Sequence, residues 1–459
     1  PNRCALALMS HECDCGKADV PGRPQSKWPM LSVDDAVAIV LRHAAPLPVR
    51  HVALDSALGC TLANDVKSAE PQPPFRASIK DGFAVIASDG VGEYPVAHRV
   101  TAGVSPDWTL QPGEVAYITT GAVVPDGATA VVQIEDTEPV VDETGNPRVR
   151  ILKIAKEGQD IRGIGCDMKA GELLCAAGSV VRAAEIGVMA AVGLTEVGVL
   201  PKPVVGVFST GDELAMPGQT LKPGQIRDSN RPMLLAALRE NGFEALDLGS
   251  LVDTEASMEQ IKAALLKVDC IVTSGGVSMG DLDLVKPFLE STGKVHFGRV
   301  KMKPGKPTTF ATVPSGDREC LVFALPGNPV SCLVTLHLFC LPALRKMTGQ
   351  PALAPLVRAR LQRSLPLDPD RPEYHRATLK WEGNGFVATS TGAQASSRLL
   401  SMTGANVLLH LPQAAGEMPA DSIVDAIVIG PLLPHDASIA PAPASVPAPA
   451  PAPASVPAP

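Results

Sequence analysis

Three short stretches of this chain combine residues able to hold a phosphorylated ligand. The first, Ser209-Thr210-Gly211-Asp212-Glu213-Leu214, sets two carboxylates directly after a tight glycine turn. The second runs from Ser274, Gly275 and Gly276 through Ser278 to Asp283. Its small residues leave backbone N–H groups open to an anion, and Asp283 can hold Mg²⁺ opposite a phosphate. The third, Pro326-Gly327-Asn328-Pro329-Val330-Ser331, opens a helical segment, where free N–H donors and the helix dipole favour negative charge. Glycine-rich turns after strands often serve only close packing, so each stretch alone is weak and their agreement carries the weight. Lys303-Pro304-Gly305-Lys306-Pro307 adds two ammonium groups on a backbone stiffened by proline. Such a segment can clamp a compact oxyanion with little entropy loss; the plain alternative is an exposed basic turn. Asp81 beside Gly82 and Thr120 beside Gly121 complete the set, although alone they pass as ordinary turns. Hydrolase signatures, a Walker A sequence and a G-x-G-x-x-G fingerprint do not occur.

The elements that must position these residues follow from the hydrophobic pattern. Ser32 and Asp35 form a start signal for a helix that turns Ala36, Val37, Val40 and Leu41 inward. From Val52 to about Leu200, short Val/Ile/Ala/Thr runs broken by Gly and Pro read as β-rich, in two small subdomains. Between Pro203 and Gly349, continuous apolar runs at Val204–Phe208, Ala245–Leu248, Cys270–Thr273 and Leu321–Leu325 alternate with helical segments. Such runs imply a parallel sheet covered on both faces. Beyond Gly349 alternating β runs return, through Gly430. The expected architecture is therefore multidomain α/β plus β. It comprises a leader or linker (1–30), an N-terminal helical and β-rich region with an inserted β subdomain (31–201), a doubly wound α/β domain (202–350), a small C-terminal β domain (351–433) and a Pro/Ala-rich tail (434–459). Ligands of doubly wound sheets bind at the carboxyl ends of the strands, which is where the three loops fall.

With 459 residues the chain is too long for one core. Forty basic against 48 acidic residues give a net charge of -8, so no global positive field draws it to nucleic acid, and any anion site must be local. No apolar stretch reaches the length of a bilayer span; the longest, Val330–Leu344, contains His337 and Pro342. Several of the ten cysteines lie inside apolar runs and read as reduced, buried thiols of a cytoplasmic protein. His11, Cys13 and Cys15 lack a second ligand pair at zinc spacing. The Pro/Ala tail suits an extended, solvated segment.

The segments PPFRASIKDGFAV, TTGAVVPDGATAVVQIEDT, GQDIRGIGCDMKAGE, STGDEL, GQIRDSN, TSGGVSMGDLD, MKPGKPTTFA, LPGNPVS and RPEYHR occur in an order that resembles the molybdopterin molybdenumtransferases, the MoeA and gephyrin E-domain family. The likeness covers about residues 30 to 432, and RPEYHR and SSRLLSM resemble its eukaryotic branch. It implies insertion of molybdate into the dithiolene of adenylylated molybdopterin, with Mg²⁺-assisted cleavage of the adenylate and release of AMP. The dithiolene itself supplies sulfur to the metal, so no catalytic Cys is needed. By the resemblance, Lys303, Lys306, Ser331 and an arginine of the RPEYHR segment, Arg371 or Arg376, would hold molybdate. Ser401 and the loop residues Ser274, Gly275, Gly276, Ser278 and Pro326 to Pro329 would bind the pterin nucleotide. Glu213, Ser278 and Asp283 would lie at the pyrophosphate and Mg²⁺, with Asp228 a further metal candidate and Asp167 and Asp253 matching acidic family positions. Asp81 and Thr120 would reach the active site of the other subunit of an elongated homodimer. Ile79-Lys80 departs from the bacterial pattern, which leaves the Lys80 contact open. A receptor-organising scaffold of gephyrin type and a pterin-adenylylating enzyme are the alternatives, and a fused domain could supply adenylylation.

Overall fold

The computed structural model describes residues 28–143, 145–251, 255–275 and 285–432. The leader with His11, Cys13 and Cys15, the Pro/Ala tail, and the expected site residues Asp253, Gly276, Ser278 and Asp283 lie outside the described residues. Two compact units emerge, Val49–Val199 and the segments on either side of it.

The unit Val49–Val199 is built of β-strands, as its short apolar runs predict. Its six-stranded sheet has the order Ala130–Gln133, Gly82–Val85, Val115–Ile118, Gly92–Val100, Pro147–Ile151, Thr137–Val141. A three-stranded sheet joins Arg50–Ala53, Glu196–Leu200 and Thr61–Leu62, beside the helix Ala183–Ala191. Gly82 is not the turn residue the sequence suggested. It lies inside a strand, where an added Cβ would fall 2.0 Å from the Val132 carbonyl oxygen, so the close approach of two strands requires glycine.

In the second unit, helix α1 (Val33–His43) starts as its sequence predicts. Ser32 Oγ accepts from the Asp35 N–H at 3.0 Å and donates to Asp35 Oδ2 at 2.7 Å. Its Val33, Ala36 and Val40 pack into the α/β core, so α1 belongs with the central domain and not with the β-rich region to which its position assigned it. The central sheet contains β1 (Val204–Thr210), β2 (Glu244–Leu251), β3 (Cys270–Ser274), β4 (Lys294–Phe297), β5 (Thr309–Ser315) and β6 (Arg318–Leu325), in the order β2-β1-β3-β6-β5-β4. The β2-β1-β3-β6 pairs are parallel, whereas β5 runs antiparallel to both β6 and β4. The cause is local: β5 and β6 form a hairpin closed by Gly316 and Asp317, with Gly316 at φ 61°.

Successive side chains of a strand point to opposite faces, and both faces are covered. Val205, Val207, Cys270, Val272 and Phe323 pack with α1, α2 (Asn230–Glu240) and α5 (Pro329–Met347). Phe208, Ile271 and Val322 pack with α3 (Glu255–Leu265) and α4 (Val285–Thr292). The doubly wound arrangement expected from the apolar runs is therefore present, with one reversed strand. Among the described residues α5 is the one helix long and apolar enough to cross a bilayer, yet 78% of that window is buried inside the domain. It widens to a π turn at Leu336–Cys340. The C-terminal strands β7 (Leu356–Leu361), β8 (Glu373–Glu382), β9 (Gly385–Ser390), β10 (Val407–Leu411) and β11 (Ile423–Val428) close a small barrel in the order β7-β9-β8-β10-β11.

Candidate functional site

The carboxyl ends of β1, β3 and β6 converge. An added Cβ on Gly275 (φ 88°) would lie 2.5 Å from the Thr210 carbonyl oxygen and 3.3 Å from Thr210 Oγ1, so this approach also demands glycine. The Gly275 N–H donates to the Leu325 carbonyl at 3.2 Å. Asn230, at the start of α2 and only 8% exposed, binds the loops together: Nδ2 donates to Ser274 Oγ at 2.6 Å and to the Gly327 carbonyl at 2.7 Å. Because the carbonyl can only accept, the amide nitrogen must face it. That leaves Asn230 Oδ1, like Thr210 Oγ1, buried and without a hydrogen-bond partner.

Beneath this edge lies an internal ion network. Asp228, 2% exposed, accepts from Ser209 Oγ at 2.6 Å, from the Arg231 N–H at 3.1 Å and from Arg231 Nε at 3.0 Å, and Arg231 Nη1 reaches Asp247 at 2.5 Å. Burial alone would pull the Arg231 guanidinium down, but its bonds to Asp247 and Asp228 outweigh that and hold it above its ordinary value. Asp228 is thus an internal bracket at the foot of α2; both its oxygens are engaged, against the expectation that it ligates a metal. Glu213 is exposed on the loop after β1, and its carboxylate occupies the space where a Gly211 side chain would be.

A second cluster joins the barrel to the α/β domain. Lys303 Nζ lies 3.2 Å from Glu373 and 3.3 Å from Asp368. His375 Nδ1 meets Glu373 Oε1 at 3.0 Å, and Arg371 stands 3.9 Å from Asp368. Burial pushes the Glu373 carboxyl up, yet the His375 hydrogen bond and Lys303 leave it below the usual glutamate value of 4.5. Lys303 is raised: burial would lower it, and Glu373 and Asp368 more than reverse that. Lys303 is therefore the counter-ion of two carboxylates, not one arm of a free paired-ammonium clamp, while Lys306 is half-buried nearby in sequence.

Three residues after Glu373, the arginine side chain is wholly enclosed. Arg376 is 0% exposed; its Nε donates to Ser401 Oγ at 3.2 Å and its Nη2 to the Ala395 carbonyl at 3.4 Å. Nη1 is buried with no partner. No carboxylate forms an ion pair with it among the described residues, and burial draws it down to about 10, opposed by Glu373. The Pro326–Ser331 turn adjoins this cluster, since Asn328 Nδ2 donates to Ser396 Oγ at 2.9 Å and the Val330 N–H to the Ser396 carbonyl at 3.1 Å. The helix start expected to offer free N–H donors has thus already given one of them away, and Pro329 has none to give. Ser331 is buried behind it.

Three regions of the chain match family models: the MoeA N-terminal region (domains I and II) over residues 31–193, the probable molybdopterin binding domain over 206–346 and the MoeA C-terminal region (domain IV) over 358–429. A molybdopterin molybdenumtransferase of Nostoc sp. is 36% identical over 92% of this chain and 99% of its own length. The chain belongs to the molybdopterin molybdenumtransferase family. Gephyrin of Dictyostelium discoideum is 41% identical over 90% of this chain, in line with the eukaryotic character of RPEYHR, but the chain spans only 64% of that relative. The crystal structure of a molybdopterin biosynthesis MoeA protein from Pyrococcus horikoshii matches 88% of this chain and all of its own, with a TM-score of 0.73 and 30% identity.

Within the molybdenumtransferase frame, the structure brings Ser274, Gly275, Pro326, Gly327 and Asn328 to one edge, and Lys303, Arg371, Arg376 and Ser401 to the barrel side of the same unit. Asp81 and Thr120 meet in the other unit, where Asp81 Oδ1 accepts from the Thr120 N–H at 2.7 Å; Lys80 is exposed beside them. Asp167 pairs with Arg162 in that unit. Sequence reasoning missed Asn230, Gln394 and Ser396; the Ser396 hydroxyl meets a partner 68 positions away, and the Gln394 carboxamide an arginine 18 positions away. The quoted GQIRDSN and SSRLLSM segments held the available signal for Asn230 and Ser396. No group of three His, Cys, Asp or Glu suited to a metal occurs among the described residues. Mg²⁺ needs only one or two carboxylates beside substrate phosphates, so the exposed Glu213 fits it and the enclosed Asp228 does not.

Proposed function

We propose that this chain inserts molybdate into the dithiolene of adenylylated molybdopterin and releases AMP. The observation that carries this is Arg376, an enclosed cation whose Nη1 has no hydrogen-bond partner and which has no carboxylate in an ion pair with it. Uncompensated buried charge is costly, and a small oxyanion supplies both the missing charge and the missing acceptor. The neighbouring carboxylates form no ion pair with it: Asp368 and Glu373 lie against Lys303, with Arg371 also beside Asp368, and Glu373 offsets the arginine's charge only without contact. Ser401 holds the guanidinium, Lys306 adds positive charge, and the Ser274–Gly275 and Pro326–Asn328 edges receive the pterin nucleotide. Glu213, with Asp283, would hold Mg²⁺, which offsets charge on the departing AMP when bound.

The Asp81 and Thr120 arm completes the site of a second subunit in a homodimer, acting in the cytoplasm. The adenylylated substrate comes from a pterin-adenylylating activity, fused or separate. Purified protein given adenylylated molybdopterin, molybdate and Mg²⁺ should release AMP, and Arg376→Met and Lys306→Ala should each lose most of this turnover. No turnover by the unaltered protein would favour a gephyrin-type scaffold instead. Full turnover by Arg376→Met would remove the arginine from the reaction.

A further inference from the structure

The loop from Thr391 to Ser401 supplies the hydrogen-bond partners of the Arg376 guanidinium. Strand β9 ends at Ser390, paired with Ala377, so the ladder stops one residue short of Arg376. Beyond that point Thr391 donates to the Arg376 carbonyl from its N–H at 3.2 Å and its Oγ1 at 3.0 Å, and the Gln394 carboxamide binds both backbone groups: Oε1 accepts from the Arg376 N–H at 2.8 Å, and Nε2 donates to the Arg376 carbonyl at 3.3 Å and the Gly392 carbonyl at 2.9 Å. The Ala395 carbonyl and Ser401 Oγ then occupy Nη2 and Nε, so the loop decides which guanidinium nitrogen is left unused. Further along, Ser396 fastens the loop to α5 through Asn328 and Val330.

We propose that Gln394 and Ser396 are positioning residues for oxyanion binding: Gln394 fixes Arg376 in the loop, and Ser396 ties that loop to the Pro326–Pro329 turn. The inference rests on the reading of Arg376 as an oxyanion ligand. The Gln394 side-chain hydrogen bonds go to the Arg376 backbone and the Gly392 carbonyl, so its effect on an oxyanion passes through the placement of the arginine. The Ser396 link makes the oxyanion side and the nucleotide side of the site share one loop.

The test compares AMP release as a function of molybdate concentration. Gln394→Met, close in size but unable to make these bonds, should raise the molybdate half-saturation roughly tenfold. Its kcat at saturating molybdate and its KM for the adenylylated pterin should stay within about twofold of the unaltered protein, a split that general loss of structure would not give. Ser396→Ala and Asn328→Ala should each raise the molybdate half-saturation by roughly threefold, and the double variant by no more than either single one, since they break the same bond. A Gln394→Met protein whose molybdate half-saturation is unchanged, or whose kcat falls and pterin KM rises to the same extent as the molybdate half-saturation, overturns the assignment. If that variant does not fold, full additivity of the Ser396 and Asn328 substitutions overturns it. Unchanged molybdate dependence in Arg376→Met would sink the underlying arginine reading, whatever the Gln394 result.

Discussion

At the scale of single residues, the site works by subtraction. Lys303 is spent on Asp368 and Glu373, Asp228 is spent on Ser209 and Arg231, and the buried atoms left without a partner include Arg376 Nη1, Asn230 Oδ1 and Thr210 Oγ1. Replacing Lys303 by Met would release two carboxylates close to the arginine. We expect the molybdate half-saturation to rise several-fold and unfolding free energy to fall by about 1 kcal/mol, modest because the lysine is partly exposed; molybdate titration and urea unfolding check both. Glu373 has a depressed folded value, so its contribution is complete above the unfolded carboxyl range and lost as pH falls through it. The residue types were legible in the sequence, since Lys303, Arg376 and Ser401 were all named. Their pairing was not, because whether a lysine faces an anion or a glutamate depends on contacts 65 to 70 positions away.

At the scale of elements, the hydrophobic pattern located most strands and helices, and the loops after them were the right places to search. It did not give the direction of β5, because Thr309–Ser315 carries no mark that separates a parallel from an antiparallel strand; only the two-residue turn at Gly316 does. Nor could a position before the β-rich region reveal that α1 packs with the α/β core. Phe310 on β5 sits against Phe297 at 5.8 Å and Phe323 at 4.9 Å between ring centroids and is fully buried. Phe310→Ala should cost about 3–5 kcal/mol in a urea unfolding experiment. Within the π turn of α5, burial pushes His337 down to about 4, with Arg345 adding to the effect; on β4, burial and His43 push His296 to about 4. Folded values below the unfolded 6.5 mean full stability above that pH and progressive loss toward pH 4, at up to about 1.4 kcal/mol per unit for each histidine. His337→Gln should flatten this acid slope in unfolding curves measured between pH 7 and 5.

At the scale of the molecule, the expected site residues fall in two compact units, with Asp81 and Thr120 in one and Arg376, Lys303 and Ser274 in the other. The proposed sharing of a site between the two subunits of a homodimer makes a sharp prediction. Asp81→Asn and Arg376→Met proteins, each inactive alone, should regain about a quarter of normal AMP release when allowed to exchange subunits in equal amounts, because half the dimers are mixed and each carries one intact site. Recovery of nothing, with mixed dimers verified by mass, would argue that each chain builds its site alone.

The enclosure of Arg376 sets how this molecule should respond to ionic strength. A chain of net charge -8 repels a dianion at long range, and dissolved salt damps that repulsion within about 10 Å at 0.1 M. On the proposed reading the metalate then meets an enclosed guanidinium, which dissolved ions screen far less than a surface charge. Raising sodium chloride should therefore hasten arrival while leaving the tightness of capture almost untouched.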